Sequence, residues 1–263
     1  MFKVLISDSL SSIAEDVFKK NNINVDVKTD LSPDELQNII HEYSGLVVRS
    51  ATKVTNEIIT SAKKLKIIGR AGAGVDNIDL NSAKKNNIIV MNTPGGNTNA
   101  TAEHTLSLLL SLYRNIPLAN FSTHQGSWEK KKFKGFELRG KRLGIIGFGN
   151  VGSKFAEIAI ALGMKVSVYS ESFSSRKEKY PKIESKSFED ILKNSDVISF
   201  HCKPQKDNQP LITSEHFEIM NKNIVLINTA RGGLIDETDL KHALDNNLIK
   251  GAALDVFASE PAK

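Results

Sequence analysis

The sequence predicts an α/β protein built on two parallel sheets, and three observations carry that prediction. Short apolar runs alternate along the chain with stretches of helical length. Several of these runs are apolar at successive positions, as parallel strands covered on both faces are. A long apolar helix separates the runs into two series of five, which argues for two modules of the same architecture.

The first series of strands is expected at residues 4–7, 25–29, 46–48, 66–69 and 88–92. Between the second and third, Ser32-Pro33-Asp34-Glu35 has the spacing of a capping box, with proline at the first helical position. The dividing helix is expected over 101–115, where Leu106, Leu108, Leu109, Leu110, Leu112 and Tyr113 make it apolar nearly all round. Such a helix is buried, between domains or against another subunit. Residues 121–136 behind it are polar and basic and include the sole tryptophan, Trp128. The second series is expected at 142–147, 165–169, 197–201, 224–228 and 252–256. The domain break falls near Asn97, giving modules 1–97 and 98–263. Because Ser259-Glu260-Pro261-Ala262-Lys263 directly follows the fifth strand of the second series, a sixth strand is expected to be missing and that domain to be incomplete at its C-terminal end.

Composition narrows the class of function. With 40% hydrophobic and 25% charged residues the 263-residue chain reads as an ordinary soluble protein with no membrane span or signal segment. A single cysteine, Cys202, excludes an internal disulfide and fits a reducing cytoplasm. The net charge of +5 is spread along the chain, and its one dense run is Lys130-Lys131-Lys132. Such a mild excess suits a protein that handles small anions better than one that binds nucleic acid. No metal site is read from the sequence.

The strongest local signal is KRLGIIGFGNVGSKFAEIAIALGMKVSVYS. Here Gly147-x-Gly149-x-x-Gly152 follows a strand and opens a helix through Asn150 and Val151, and a second strand comes at the proper distance. This is the fingerprint of a Rossmann dinucleotide site. Gly147 permits the tight turn, Gly149 lets a pyrophosphate reach the backbone, and Gly152 lets helix and strand pack closely. The helix N-terminus offers N–H groups and a partial positive charge to the phosphates. An acidic residue holding the ribose is expected about 20 positions on. The chain has Ser170 there, followed by Glu171, with Arg176 and Lys177 nearby. NAD is the expected cofactor, and NADP stays open through Arg176 and Lys177. Their alternative is a solvated basic loop.

Three stretches, GKRLGIIGFGNVG, INTARGGLIDETDLKHAL and GAALDVFASEP, resemble the D-isomer-specific 2-hydroxyacid dehydrogenase family. Three more, VVRSATKVT, IIGRAGAGVDNIDL and VMNTPGGNT, resemble its phosphoglycerate dehydrogenase branch. The resemblance runs in order across essentially the whole chain. It implies a flavodoxin-like substrate domain over 1–97 and a Rossmann NAD-binding domain over 98–263. By the same resemblance Arg231 binds the substrate carboxylate and polarises the C2 oxygen, and Glu260 orients a catalytic histidine. That histidine has no match within this chain. His201, Thr229 and Asp255 match cofactor-lining positions. Arg49, Arg70 and Asn97 match substrate anchors facing a cleft between the domains, and Lys130 matches a residue reaching a neighbouring subunit's site.

The implied activity is hydride transfer between nicotinamide and a D-2-hydroxy acid, with 3-phosphoglycerate, the entry to serine biosynthesis, as substrate. The implied assembly is a homodimer or larger homo-oligomer. Two other readings stand beside it: a glyoxylate or hydroxypyruvate reductase, and a catalytically dead dinucleotide sensor that binds a protein partner. Salt bridges are the plain alternative for Arg49, Arg70 and Arg231, and a buried strand-end thiol for Cys202. His41, His104, His124, His216 and His242 read as surface or capping residues. Ser170 in place of an aspartate and Lys203 in place of a proline depart from the family pattern.

Overall fold

The computed structural model describes residues 2–205 and 207–262, so Lys263, where the sequence reading sets the end of the second domain, lies outside them. The chain divides into two compact units, Met1–Asn97 and Thr98–Lys263. The first holds five parallel strands: β1 (Lys3–Ile6), β2 (Asn24–Val27), β3 (Gly45–Val48), β4 (Ile67–Arg70) and β5 (Ile89–Asn92). Their order in the sheet is β2-β1-β3-β4-β5, that of flavodoxin-like doubly wound folds. Leu5, Leu46, Val48 and Ile68 from the strands pack with Leu36, Ile40, Ile58 and Ile59 from the helices to form one core. The helix Pro33–Ile39 starts as its spacing predicts. Glu35 N–H donates to Ser32 Oγ at 3.3 Å, while Ser32 N–H donates back to Glu35 Oε2 at 2.8 Å.

The second unit holds β6 (Arg142–Ile146), β7 (Lys165–Tyr169), β8 (Glu184–Ser185), β9 (Val197–Phe200), β10 (Val225–Asn228) and β11 (Gly251–Leu254). All pair in parallel in the order β11-β10-β9-β6-β7-β8. Counted within the unit this is the Rossmann order. Among the described residues the expected count of five is therefore corrected to six. The overlooked strand, β8, is two exposed residues in a polar stretch, and it carries none of the apolar signal by which the others are read.

Both faces of this sheet are covered. Leu143, Ile145, Val166, Val168, Val197, Val225 and Ile227 face a core shared with the helices Thr98–Tyr113 and Asn150–Ala161. Ile146, Ile198, Phe200 and Leu226 face a second core. That is why β9 and β10 are apolar at successive positions and buried throughout.

The dividing helix runs Thr98–Tyr113 and buries Ala102, Thr105, Leu109 and Tyr113, spaced three or four apart along one face. Its remaining leucines, Leu106, Leu108, Leu110 and Leu112, are half-buried against the unit's own core. A separate helix, Ile116–His124, follows after Asn115 takes a left-handed conformation, φ 54°. The sequence reading has no helix there.

Candidate active site

Strand register gathers the second unit's candidate residues into one row. Tyr169, Ile146, Phe200, Asn228 and Leu254 are paired across β7, β6, β9, β10 and β11. The residues that follow them are Ser170, Gly147, His201, Thr229 and Asp255. Backbone bonds keep the row in step: Gly147 N–H to Tyr169 O at 2.9 Å, His201 N–H to Ile146 O at 2.8 Å, and Asp255 N–H to Asn228 O at 2.9 Å. This row is the carboxyl edge of the sheet, where open α/β sheets bind their ligands. The strand order reverses between β6 and β9, so the Gly147 turn stands at the switch point.

The turn itself is built for close approach. Gly147 has φ +91°, and a Cβ there would stand 2.6 Å from His201 O and 2.7 Å from Cys202 N. At Gly152 a Cβ would stand 2.5 Å from Gly147 O, so the helix start and the turn meet backbone to backbone. Gly149 differs, because a Cβ there would meet nothing within 4 Å. It is the N-cap of the helix Asn150–Ala161, and no side chain caps that helix. The opening N–H groups at Asn150 and Val151 are thus left without a side-chain cap, beside open space at Gly149.

Beyond β7, Ser170 Oγ lies 3.1 Å from Ser172 Oγ, and Glu171 is exposed at the start of a 3₁₀ segment, Glu171–Lys179. Arg176, on the same segment, returns to the glycine turn, and its Nη1 donates to Phe148 O at 3.2 Å. A guanidinium thus stands beside the glycine turn.

On the far side of the switch, His201 packs its ring on Phe155 and shares a 2.9 Å hydrogen bond with Ser199 Oγ. Burial pushes its pKa down to about 4, so the ring is neutral at neutral pH. Burial also lifts the Cys202 thiol to about 11, which keeps it protonated and unreactive. Thr229 is buried, and its hydroxyl lies 2.7 Å from Thr105 Oγ1. Because the Thr105 hydroxyl donates to Thr101 O at 2.8 Å, Thr229 is the donor between the two.

Arg231 is half-buried in the loop after β10. Its Nη1 donates to Ala230 O at 2.7 Å, and its carbonyl accepts from Asn228 Nδ2 at 2.8 Å. The loop after β11 crosses it tightly: a Cβ on Gly232 would stand 1.8 Å from Phe257 O. Glu260 Oε1 accepts from Phe257 N–H at 3.2 Å, and Glu237 Oε1 accepts from Ala258 N–H at 2.6 Å, which fastens that loop to the helix Glu237–Asp245. Asp255 Oδ1 lies 3.1 Å from His104 Nε2. The sequence reading set His104 aside as a surface or capping residue. The structure leaves it at the surface of its helix and adds a contact with a residue of the row. The signal was faint, since the pair lies about 150 positions apart in sequence with no periodicity to connect it. His216 does cap, through Nδ1, which accepts from Thr213 N–H at 3.1 Å.

In the first unit Arg49 follows β3 and Arg70 ends the neighbouring β4, where it pairs with Val48. Arg49 is exposed. Its N–H donates to the Asp8 carboxylate and its Nη1 donates to Ser9 O at 3.3 Å. Ser7, Asp8, Thr29, Arg49 and Thr52 are among the residues lining a cavity of about 280 Å³ at this edge. Asn97 is exposed at the end of the unit, and Lys130 is exposed in a turn of the second unit.

A family model described as "D-isomer specific 2-hydroxyacid dehydrogenase, NAD binding domain" matches residues 106–263. The chain belongs to this family. It is 45% identical to the D-3-phosphoglycerate dehydrogenase of Archaeoglobus fulgidus over 259 residues, covering 98% of this chain and 49% of that one. It thus spans about half the length of the curated relatives it matches. Among solved structures, the TT0316 protein from Thermus thermophilus superposes with a TM-score of 0.91 at 32% identity, covering all of this chain and 84% of that one. An acyclic imino acid reductase, Bsp5, in complex with NADPH and D-Arg, superposes with a TM-score of 0.88 at 30% identity, covering all of this chain and 85% of that one.

Proposed function

We propose that this chain is the catalytic part of an NAD-dependent dehydrogenase that interconverts a D-2-hydroxy acid and its 2-oxo acid, with 3-phosphoglycerate as the hydroxy acid. The observation that carries this reading is the register row Ser170–Gly147–His201–Thr229–Asp255 with an uncapped helix start at its centre. Bound nicotinamide supplies the hydride acceptor, and the protein's own work is to hold and polarise. The helix start at Gly149–Asn150 receives the pyrophosphate. Arg231 takes the substrate carboxylate as a two-pronged donor, and its charge stabilises the alkoxide that develops at C2. Glu260 orients a general acid–base group. Arg49 and Arg70 supply the fixed cations that a phosphorylated substrate requires. Those cations favour phosphohydroxypyruvate over glyoxylate as the oxo acid, and with it a place in serine biosynthesis.

For the cofactor, NAD is the first choice, and discrimination against NADP is weak. Ser170 lacks the charge that repels a 2′-phosphate, and Arg176 stands where it attracts one. The subunits act as a homodimer, in which Lys130 serves the partner's site.

Titrating the protein with NADH and NADPH, and then with phosphohydroxypyruvate or glyoxylate on the NADH complex, tests the reading. Both dinucleotides are expected to bind within roughly a hundredfold of each other, about 2.7 kcal/mol. Phosphohydroxypyruvate is expected to bind more tightly than glyoxylate, and Arg231→Ala is expected to weaken it at least about tenfold. Failure to bind either dinucleotide overturns the proposal. Equal binding of the two oxo acids overturns the phosphate-anchor part alone.

A further inference from the structure

We infer that His104 is a positioning residue for the nicotinamide end of the dinucleotide site and that it acts through the carboxylate of Asp255. The inference deepens the dehydrogenase reading and rests on it.

The topology decides which half of a dinucleotide Asp255 can serve. The sheet reverses direction between β6 and β9, with β7 and β8 on one side and β9, β10 and β11 on the other. A dinucleotide bound across such a switch point lays one nucleotide over each half. Ser170 and Arg176 follow β7, on the side of the first strand pair, where the adenosine ribose lies. Asp255 follows β11, at the opposite end of the row, and so belongs to the nicotinamide half.

His104 sits two turns into the helix Thr98–Tyr113, and its Nε2 lies 3.1 Å from Asp255 Oδ1. A carboxylate only accepts, so Nε2 carries the proton and donates whether the ring is neutral or charged. That donation fixes the rotation of the Asp255 side chain and leaves Oδ2 as its open acceptor. The nicotinamide carboxamide presents an N–H₂ donor of matching chemistry.

The pair is not needed to hold the helix. Both side chains are about half exposed, at 46% and 49%. A half-exposed contact of this kind adds little to stability. The next residue, Thr105, already fastens the same helix to the end of β10 through its buried 2.7 Å contact with Thr229. A pair that adds little to folding and stands exposed at the ligand edge is built to be met by a ligand.

The test compares two probes on the unaltered protein and four variants. NADH carries the nicotinamide, whereas ADP-ribose carries the pyrophosphate and adenosine without it. His104→Leu is expected to weaken NADH by roughly fivefold to tenfold, the scale of one charge-assisted hydrogen bond at a half-exposed site. ADP-ribose binding is expected to stay unchanged. His104→Gln, whose amide can donate from the same side, is expected to recover most of the NADH affinity. Asp255→Ala is expected to weaken NADH as well, and adding His104→Leu to it should have no further effect, because the two residues form one unit. Equal loss of both probes in His104→Leu overturns the inference, since the residue is then merely structural. So does an unchanged NADH affinity, or full additivity in the double variant. If the unaltered protein binds neither probe, the dinucleotide reading itself falls, and that outcome is distinct from the others.

Discussion

At the scale of single residues, His201 shows how burial sets what a side chain can do. It stands in the register row, yet its pKa is pushed down to about 4, so it exchanges no proton near neutral pH. Its ring contributes shape and one hydrogen bond to Ser199. The same burial makes a prediction about stability. In the unfolded chain an imidazole takes a proton near pH 6.5, while in the folded chain this one stays neutral until about pH 4. The unfolded state therefore binds more protons between those values, and stability falls as pH drops through that window. At pH 5 the loss amounts to about 2 kcal/mol relative to pH 7.5. His201→Gln removes the titration, so its urea-unfolding stability should fall less over the same range. Parallel profiles for the two forms would show that His201 is not held neutral. Arg231 teaches a different lesson: its motif is legible in the sequence, whereas the crossing of Gly232 under Phe257 O, which shapes its loop, is a long-range contact.

At the scale of elements, the strand–turn–helix at Gly147–Gly152 joins two demands that substitution can separate. Gly147 serves the fold, because it needs φ +91° and would drive a Cβ into His201 O and Cys202 N. Gly149 faces open space and serves the ligand. Gly147→Ala is therefore expected to cost about 1–3 kcal/mol in unfolding experiments. Gly149→Ala is expected to cost less than about 1 kcal/mol, the difference between the two residues as helix caps. Yet it should weaken NADH binding more than tenfold, because the methyl group occupies the space a pyrophosphate needs. Normal NADH binding by Gly149→Ala would show that the phosphates do not lie against this turn. Elements of this kind were the most legible in the sequence. Ten of the eleven strands among the described residues show as apolar runs, because each places at least part of its length in a buried or half-buried position. β8 does not show, since Glu184 and Ser185 are both exposed and bury nothing. The helix Ile116–His124 was missed for a related reason: only Ser122 in it is buried, so it leaves no periodic core face to read.

At the scale of the whole molecule, what the sequence could not show is which apolar surface stays uncovered. The dividing helix looked too apolar for one domain, but its leucines are largely covered by its own unit. In the second unit, uncovered apolar side chains lie just beyond it. Ile116, Leu118 and Phe121 are 50%, 63% and 66% exposed, and Trp128 is 83% exposed. Four large exposed apolar side chains fall within thirteen residues of chain, and exposed apolar surface of that kind marks interaction sites where it is contiguous. A symmetric pair of such patches covers itself, since a two-fold interface brings the same surface together from both copies. The protein is therefore expected to be a dimer in dilute buffer by light scattering, with residues 116–136 at the contact. Leu118→Glu with Phe121→Glu should convert it to a monomer. Both side chains are exposed, so the change disturbs no core, and the unfolding midpoint measured on the separated monomer should stay near that of the parent. A parent that scatters as a monomer across micromolar concentrations would sink the dimer. It would also remove the role of Lys130 in a partner's site, because a residue exposed in that same segment would have no second subunit to reach.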